Sequence, residues 1–305
     1  MSEIAKPNVD QVLARVKQLA ASGSYREAAV ILDAALHHYP ANPHLLTKRA
    51  DVARSSEDYA EAERFLVEAR RIAPNDEVIL TMLGDVYLSM NRLGAAESAL
   101  LASRHIDPVK GATLLLLAKL YLKVGRHDEA LEILLDLRTI NPKDYGVFNM
   151  LVDLYIELRR IREAEALLTE ARRREPGNII LCNRLGKFYT HFDRFEEAEG
   201  SFLAALGLNP KDRYTLNMLG QLYVRWGRFA DAEKILREAR VLSPTDQITL
   251  NTLAELYLKM GRTDEAESVA QDASRINPTD VYTRKLLAKL GAGDGSGQAD
   301  RRGAH

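Results

Sequence analysis

Residues 213–246 read RYTLNMLGQLYVRWGRFADAEKILREARVLSPTD. Leu216, Leu219, Gly220 and Tyr223 fall at i, i+3, i+4 and i+7, an apolar stripe down one face of a helix. Gly227 ends that helix, because glycine adopts the left-handed conformation required just past a helix terminus without steric cost. A second helix then carries Ala232, Leu236 and Ala239 on one face. Pro244 closes it, since proline lacks the amide that a helix interior requires. The segment is a helical hairpin 34 residues long.

Working outward from Pro244, the prolines keep the same interval. Pro40, Pro74, Pro108, Pro142, Pro176, Pro210, Pro244 and Pro278 stand 34 residues apart, and only Pro7 and Pro43 fall outside the series. A fixed period of this size marks stacked supersecondary units. Eight units follow: 9–42, 43–76, 77–110, 111–144, 145–178, 179–212, 213–246 and 247–280. The eighth position is small or slender, as in Ala50, Gly84, Ala118, Val152, Gly186, Gly220 and Ala254. The twentieth is alanine in every unit: Ala28, Ala62, Ala96, Ala130, Ala164, Ala198, Ala232 and Ala266. Small side chains there let paired helices approach closely. Tyr87, Tyr121, Tyr155, Tyr189, Tyr223 and Tyr257 occupy the eleventh position of six successive units.

The first two units drift. Arg49 and Ala53 stand where an apolar residue and tyrosine are usual, and the first unit carries Arg15 and Val16 at positions seven and eight. A terminal repeat has no preceding neighbour to bury against, so drift suits a cap. Residues 281–290 predict one more amphipathic helix, with Leu286, Leu287 and Leu290 inward and Arg284, Lys285 and Lys289 outward. Residues 1–8 form an N-terminal extension, and 291–305 read as a flexible glycine-rich tail too poor in apolar residues to fold.

A small residue at eight, tyrosine at eleven, alanine at twenty and proline at thirty-two, eight units in register, resemble the tetratricopeptide repeat family. The resemblance covers residues 9–280; the family's frequent tryptophan at position four is replaced by Leu, Phe, Val or Cys. It implies an all-α, right-handed superhelical solenoid of eight helix–turn–helix repeats with a C-terminal capping helix. The first helix of each unit would line the concave side, with positions two, five, six, nine, twelve and thirteen facing inward. The function implied is a non-enzymatic adaptor that holds an extended peptide or helix of a protein partner in that groove. A self-assembling scaffold is the alternative from a different class.

Mapped onto this sequence, those positions give the candidate site. Asn149, Asn183, Asn217 and Asn251 recur at position five. An amide both donates and accepts, which suits either clamping a guest backbone or a hydrogen bond between neighbouring units, and both readings stand. Eleven basic residues occupy groove positions, among them Lys119, Lys123, Arg184, Lys187 and Arg225, against six acidic ones. A basic groove favours a partner with acidic segments. Met150 and Met218 at position six are adaptable apolar contacts or simple core filling. Trp226, the single tryptophan, is an interface anchor or a ring packed on the adjacent turn.

Other classes are disfavoured. The formal net charge of -1 gives no field that attracts nucleic acid. The most apolar run, residues 112–118, is stopped by Lys119 far short of the ~20 residues that span a bilayer. The sequence carries neither a phosphate-binding glycine loop nor a zinc-binding His pair. Cys182, the only cysteine, occupies a core position and reads as a small buried hydrophobe. No cofactor or metal is expected, and a cytoplasmic location is the default expectation.

Overall fold

The computed structural model describes residues 7–297, and every regular element among them is helical. The helices fall into two compact units that divide between Arg160 and Ile161. The first unit holds α1 (Val9–Ala21), α2 (Tyr25–His38), α3 (Pro43–Ser55), α4 (Tyr59–Ile72), α5 (Glu77–Ser89), α6 (Leu93–Ile106), α7 (Gly111–Lys123), α8 (His127–Ile140) and α9 (Tyr145–Glu157). The second holds α10 (Ile161–Arg174), α11 (Ile179–His191), α12 (Phe195–Leu208), α13 (Arg213–Trp226), α14 (Phe229–Leu242), α15 (Gln247–Lys259), α16 (Thr263–Ile276) and α17 (Val281–Gly297). Odd-numbered helices from α1 to α17 start at position one of the repeat, and even-numbered ones at position seventeen. The 34-residue register holds throughout.

Local chemistry sets each boundary. The residue before every odd-numbered helix but α7 is a side-chain N-cap: Asn8, Asn42, Asp76, Asp144 and Asn178 accept bonds from first-turn backbone amides, as do Asp212, Asp246 and Asp280, whereas Lys110 before α7 does not. Such a cap contributes ~1 kcal/mol. Gly227 takes the left-handed conformation, at φ 80°. So does position fifteen of every other unit, including four residues that are not glycine: Glu57, Asn91, Arg159 and Asp193. The turn geometry is therefore imposed by the two helices it joins, and glycine is only the least strained way to fill it.

One difference concerns the C-terminus. The sequence predicts a cap helix ending at Leu290, whereas α17 runs on to Gly297. No proline follows Pro278, and glycine weakens a helix without forbidding it. Residues 1–6 and 298–305, which include most of the N-terminal extension and the end of the predicted tail, lie outside the described residues.

Packing explains the small positions. All eight alanines at position twenty are fully buried. A Cβ added at Gly186 would lie 2.5 Å from the Phe202 ring, and one at Gly84 or Gly220 would fall onto Leu100 or Leu236. Position eight of one helix thus seats the large residue at position twenty-four of its partner. Interiors packed this tightly transmit even one extra methylene as strain.

A second periodic device holds successive hairpins together. Position sixteen is arginine in six units, and its guanidinium lies over the position-eleven tyrosine: Arg92 on Tyr87, Arg126 on Tyr121, Arg160 on Tyr155, Arg194 on Tyr189, Arg228 on Tyr223 and Arg262 on Tyr257, at 4.2 to 5.1 Å. Most of these arginines also reach back one repeat to the glutamate at position twenty-one. Arg92 pairs with Glu63 at 2.6 Å and Arg126 with Glu97 at 2.5 Å in the first unit. Arg194 pairs with Glu165 at 2.8 Å, while Arg228–Glu199 and Arg262–Glu233 are both 2.9 Å, in the second. Tyr189 and Tyr223 donate to the same glutamates. Ring, guanidinium and carboxylate together clamp one hairpin to the next.

Candidate functional site

In each unit the predicted inward positions line open cavities. In the first unit one of 490 Å³ is walled by α1, α3, α5 and α7 through residues such as Leu13, Lys48, Arg54, Met82, Asp85 and Leu116. All occupy positions five, six, nine or twelve of their repeats. Its charges are satisfied within the wall: Lys48 pairs with Asp51 at 2.8 Å, and Arg54 bridges Asp51 at 2.9 Å and Asp85 at 3.2 Å. Burial works against ionisation of Asp51, but the hydrogen bonds from Lys48 and Arg54 outweigh it and hold the carboxyl below its ordinary range.

In the second unit three cavities share walls. The largest, 550 Å³, is lined by Val224, Arg225, Ile248, Asn251, Glu255 and Lys259 among others. It shares Gln221 and Arg225 with a cavity that includes Lys187 and Met218, and Lys259 and Tyr282 with one that includes Lys285 and Lys289. The result is a trough along α11, α13, α15 and α17. Its single carboxylate at a groove position, Glu255, is held by Tyr282 at 2.6 Å and Lys259 at 3.7 Å. Arg225 reaches Asp193 at 2.7 Å. Lys187, Lys285 and Lys289 have no ion pair among the described residues.

The asparagines have a different environment from the lysines. Asn183 and Asn217 are buried, Asn251 is half-buried, and only Asn149 is exposed. Asn217 accepts from Thr249 Oγ1 at 2.7 Å and donates to Asp246 at 2.9 Å. Asn251 accepts from Thr283 at 2.8 Å and donates to Asp280 at 3.1 Å, and Asn183 accepts from Thr215 at 2.9 Å. Each bond joins position five of one repeat to the cap of the next. Of the two readings open on the sequence, the hydrogen bond between neighbouring units describes these three. The partner signal was present in the sequence as Asp-x-x-Thr at 212–215, 246–249 and 280–283. Burial pushes the Asp246 carboxyl up, but hydrogen bonds from Thr249 and Asn217 outweigh it and the net shift is down. Hydrogen bonds from Thr283 hold Asp280 down at about 2.

The remaining candidates divide by unit. Lys119 and Lys123 are exposed on α7, and Met150 is half-buried on α9, all in the first unit. Arg184 is half-buried on α11. Trp226 stacks on Phe195 with centroids 5.6 Å apart, so turn packing accounts for it. Cys182 is fully buried. No group of three metal-ligating side chains lies together among the described residues, and no described helix is long and apolar enough to cross a membrane. Sequence reasoning missed the arginine clamp, whose signal was arginine at position sixteen of six units, and the apolar series at position two described below.

Comparison with known proteins agrees with this architecture. A family model described as Cilia and flagella-associated protein 70 C-terminal domain matches residues 109–301, and a tetratricopeptide repeat model matches 19–76 and 53–110. No curated protein matches the sequence. A tetratricopeptide repeat protein from Parabacteroides merdae superimposes with a TM-score of 0.57 at 19% identity, over 81% of this chain and 98% of that one. Yeast Tom70 superimposes with a TM-score of 0.59 at 16% identity, over 91% of this chain and 60% of its own. The Cut9 complex, with a TM-score of 0.46 at 20% identity, covers 95% of this chain, which spans only 57% of that one. At such identities the likeness to the Parabacteroides merdae protein and to Tom70 is one of fold. With the family model covering well over half its length, the chain belongs to the tetratricopeptide repeat family, whose stacked helical hairpins generally serve protein–protein interaction.

Proposed function

We propose that the chain is a non-enzymatic adaptor whose second unit captures a segment of a protein partner along α11, α13, α15 and α17. The observation that carries this reading is the trough itself: cavities with shared walls, lined at the repeat's groove positions and open to solvent. Its charge supports an acidic segment. Groove positions in the second unit hold six basic residues and one acidic, whereas those in the first hold five of each. A wall built on packed helices changes little on binding, so affinity would come from preorganisation. A photo-crosslinking residue at Gln221, in the trough, should trap the partner from native extract, whereas the same residue at Glu238, exposed on α14, should not. Equal trapping at both positions would refute the assignment.

Self-association is the second reading. Val67, Leu101 and Leu135 recur at position twenty-five of the first unit and are all exposed, an apolar stripe on its even-numbered helices. Sedimentation that stays monomeric across concentration would remove it.

A further inference from the structure

The second unit carries another periodic feature beside its cations. Position two of each odd-numbered helix is a large apolar residue: Ile180, Tyr214, Ile248 and Tyr282, spaced 34 residues apart. Core residues at neighbouring positions are buried, yet these four are 71%, 46%, 50% and 47% exposed. They stand at the N-terminal ends of α11, α13, α15 and α17, helices of which successive members touch. Ile248 and Tyr282 wall the same cavity as Arg225 and Lys259. The cations lie further along the same helices, Lys187 and Lys289 at position nine and Arg225 and Lys259 at position thirteen. At a rise of 1.5 Å per residue, position nine lies ~10 Å from position two. The trough therefore has an apolar rail at position two and a cationic rail beyond it, set at position nine on α11 and α17 and at position thirteen on α13 and α15.

We infer that the occupant of this trough is an acidic amphipathic α-helix, lying across α11–α17 with its apolar edge on the first rail and its carboxylates on the second. The inference rests on the groove reading above and narrows it to one class of partner. Two dimensions select a helix. The gap between the two rails, ~10 Å at Lys187 and Lys289 and ~17 Å at Arg225 and Lys259, admits a helix 10–12 Å across with its side chains. Packed helices are spaced ~8–10 Å apart, and a guest helix repeats a side chain on one edge every seven residues, or ~10.5 Å. A β-strand places same-face residues ~6.7 or ~13 Å apart and misses that spacing. The charge asymmetry sets the sign: the free ammonium groups of Lys187 and Lys289 face no carboxylate of their own among the described residues.

The test uses the full chain and three fluorescently labelled synthetic peptides of about 21 residues, long enough to cross four helices. One carries leucine on every seventh residue with glutamate on the adjacent edge, the second has lysine for every glutamate, and the third scrambles the first. Anisotropy titration should show the acidic peptide binding about tenfold tighter than either control, and weakening as salt is raised. Lys187→Glu, Lys259→Glu and Lys289→Glu combined should weaken it about tenfold and favour the basic peptide. Ile180→Ser with Ile248→Ser should weaken both ordered peptides. All five positions are exposed, and unchanged circular dichroism verifies folding. Equal binding of acidic and scrambled peptides, or indifference to the charge reversal, overturns the inference. If the basic peptide binds as tightly and is lost in the Ile180/Ile248 variant, the groove reading survives and the acidic class falls. If no peptide responds to any trough substitution, the groove reading falls with it.

Discussion

In the first unit Thr81, at position five, meets Thr113 at 2.7 Å and Ser103 at 2.9 Å, a buried triangle of hydroxyls. In the second unit Asn217, at the same position, meets Thr249 at 2.7 Å and Asp246 at 2.9 Å. Both bonds to threonine span 32 residues, so the same slot joins one repeat to the next by different chemistry. The groove charges diverge in parallel: those beside Thr81 close on one another, while those beside Asn217 leave lysines unpaired. A repeat scaffold thus keeps its joint and changes its surface. The reason is that the joint sits in the packed interior, where an unmet polar group is costly, whereas surface charge is nearly free to vary.

The largest expected effect is one the two units should share. Ala62→Leu and Ala198→Leu each force a larger side chain between paired helices at a fully buried site, and each should cost ~1–3 kcal/mol. Chemical denaturation that spares one of them would show that the units are packed on different principles. Next comes the joint itself. Asn217→Ala removes the bonds to Thr249 and Asp246, which stay bonded to each other at 2.7 Å, and Thr81→Val leaves Ser103 and Thr113 bonded to each other at 3.0 Å, so each should cost about 1–2 kcal/mol. Exposed Asn149→Ala should stay within about 0.5 kcal/mol. Trp226, the sole tryptophan, lies in the second unit, so its fluorescence follows that unit while circular dichroism follows both. An Asn217→Ala variant as stable as the parent would return the asparagines to the groove.

Strain at the turns offers a gain. Glu57 and Asp193 both hold positive φ, and glycine there should stabilise by about 1 kcal/mol. Asp193→Gly additionally releases Arg225, so it should sharpen the charge contrast by strengthening acidic-peptide binding. A loss of binding would contradict the role given to the cationic rail.

The acid response is the smallest effect. Asp246 and Asp280 are held below their ordinary range, so the stability they contribute is present above the unfolded carboxylate pKa of ~3.9 and is lost as pH falls through the folded value. For Asp280 that window runs from ~3.9 down to about 2. Tryptophan fluorescence should report loosening of the second unit across it, and Asp280→Asn should blunt the dependence.

The repeat, its register and its helix boundaries, the end of α17 excepted, were legible in the sequence because they follow from local chemistry. Proline at thirty-two stops a helix wherever the chain goes, and alanine at twenty is small in any context. Helical periodicity likewise named the groove positions once the hairpin was known to stack. What a side chain does across the repeat interface was decided only in three dimensions. Asn217 and Lys187 both sit on inward-leaning parts of their helices, yet one is sealed under Thr249 and the other is bare. Their difference depends on residues some thirty positions away, brought alongside by stacking. The left-handed turns at Glu57 and Arg159 belong to the same class: neither residue favours that conformation, as Asn91 and Asp193 do, and the packing of two helices imposes it.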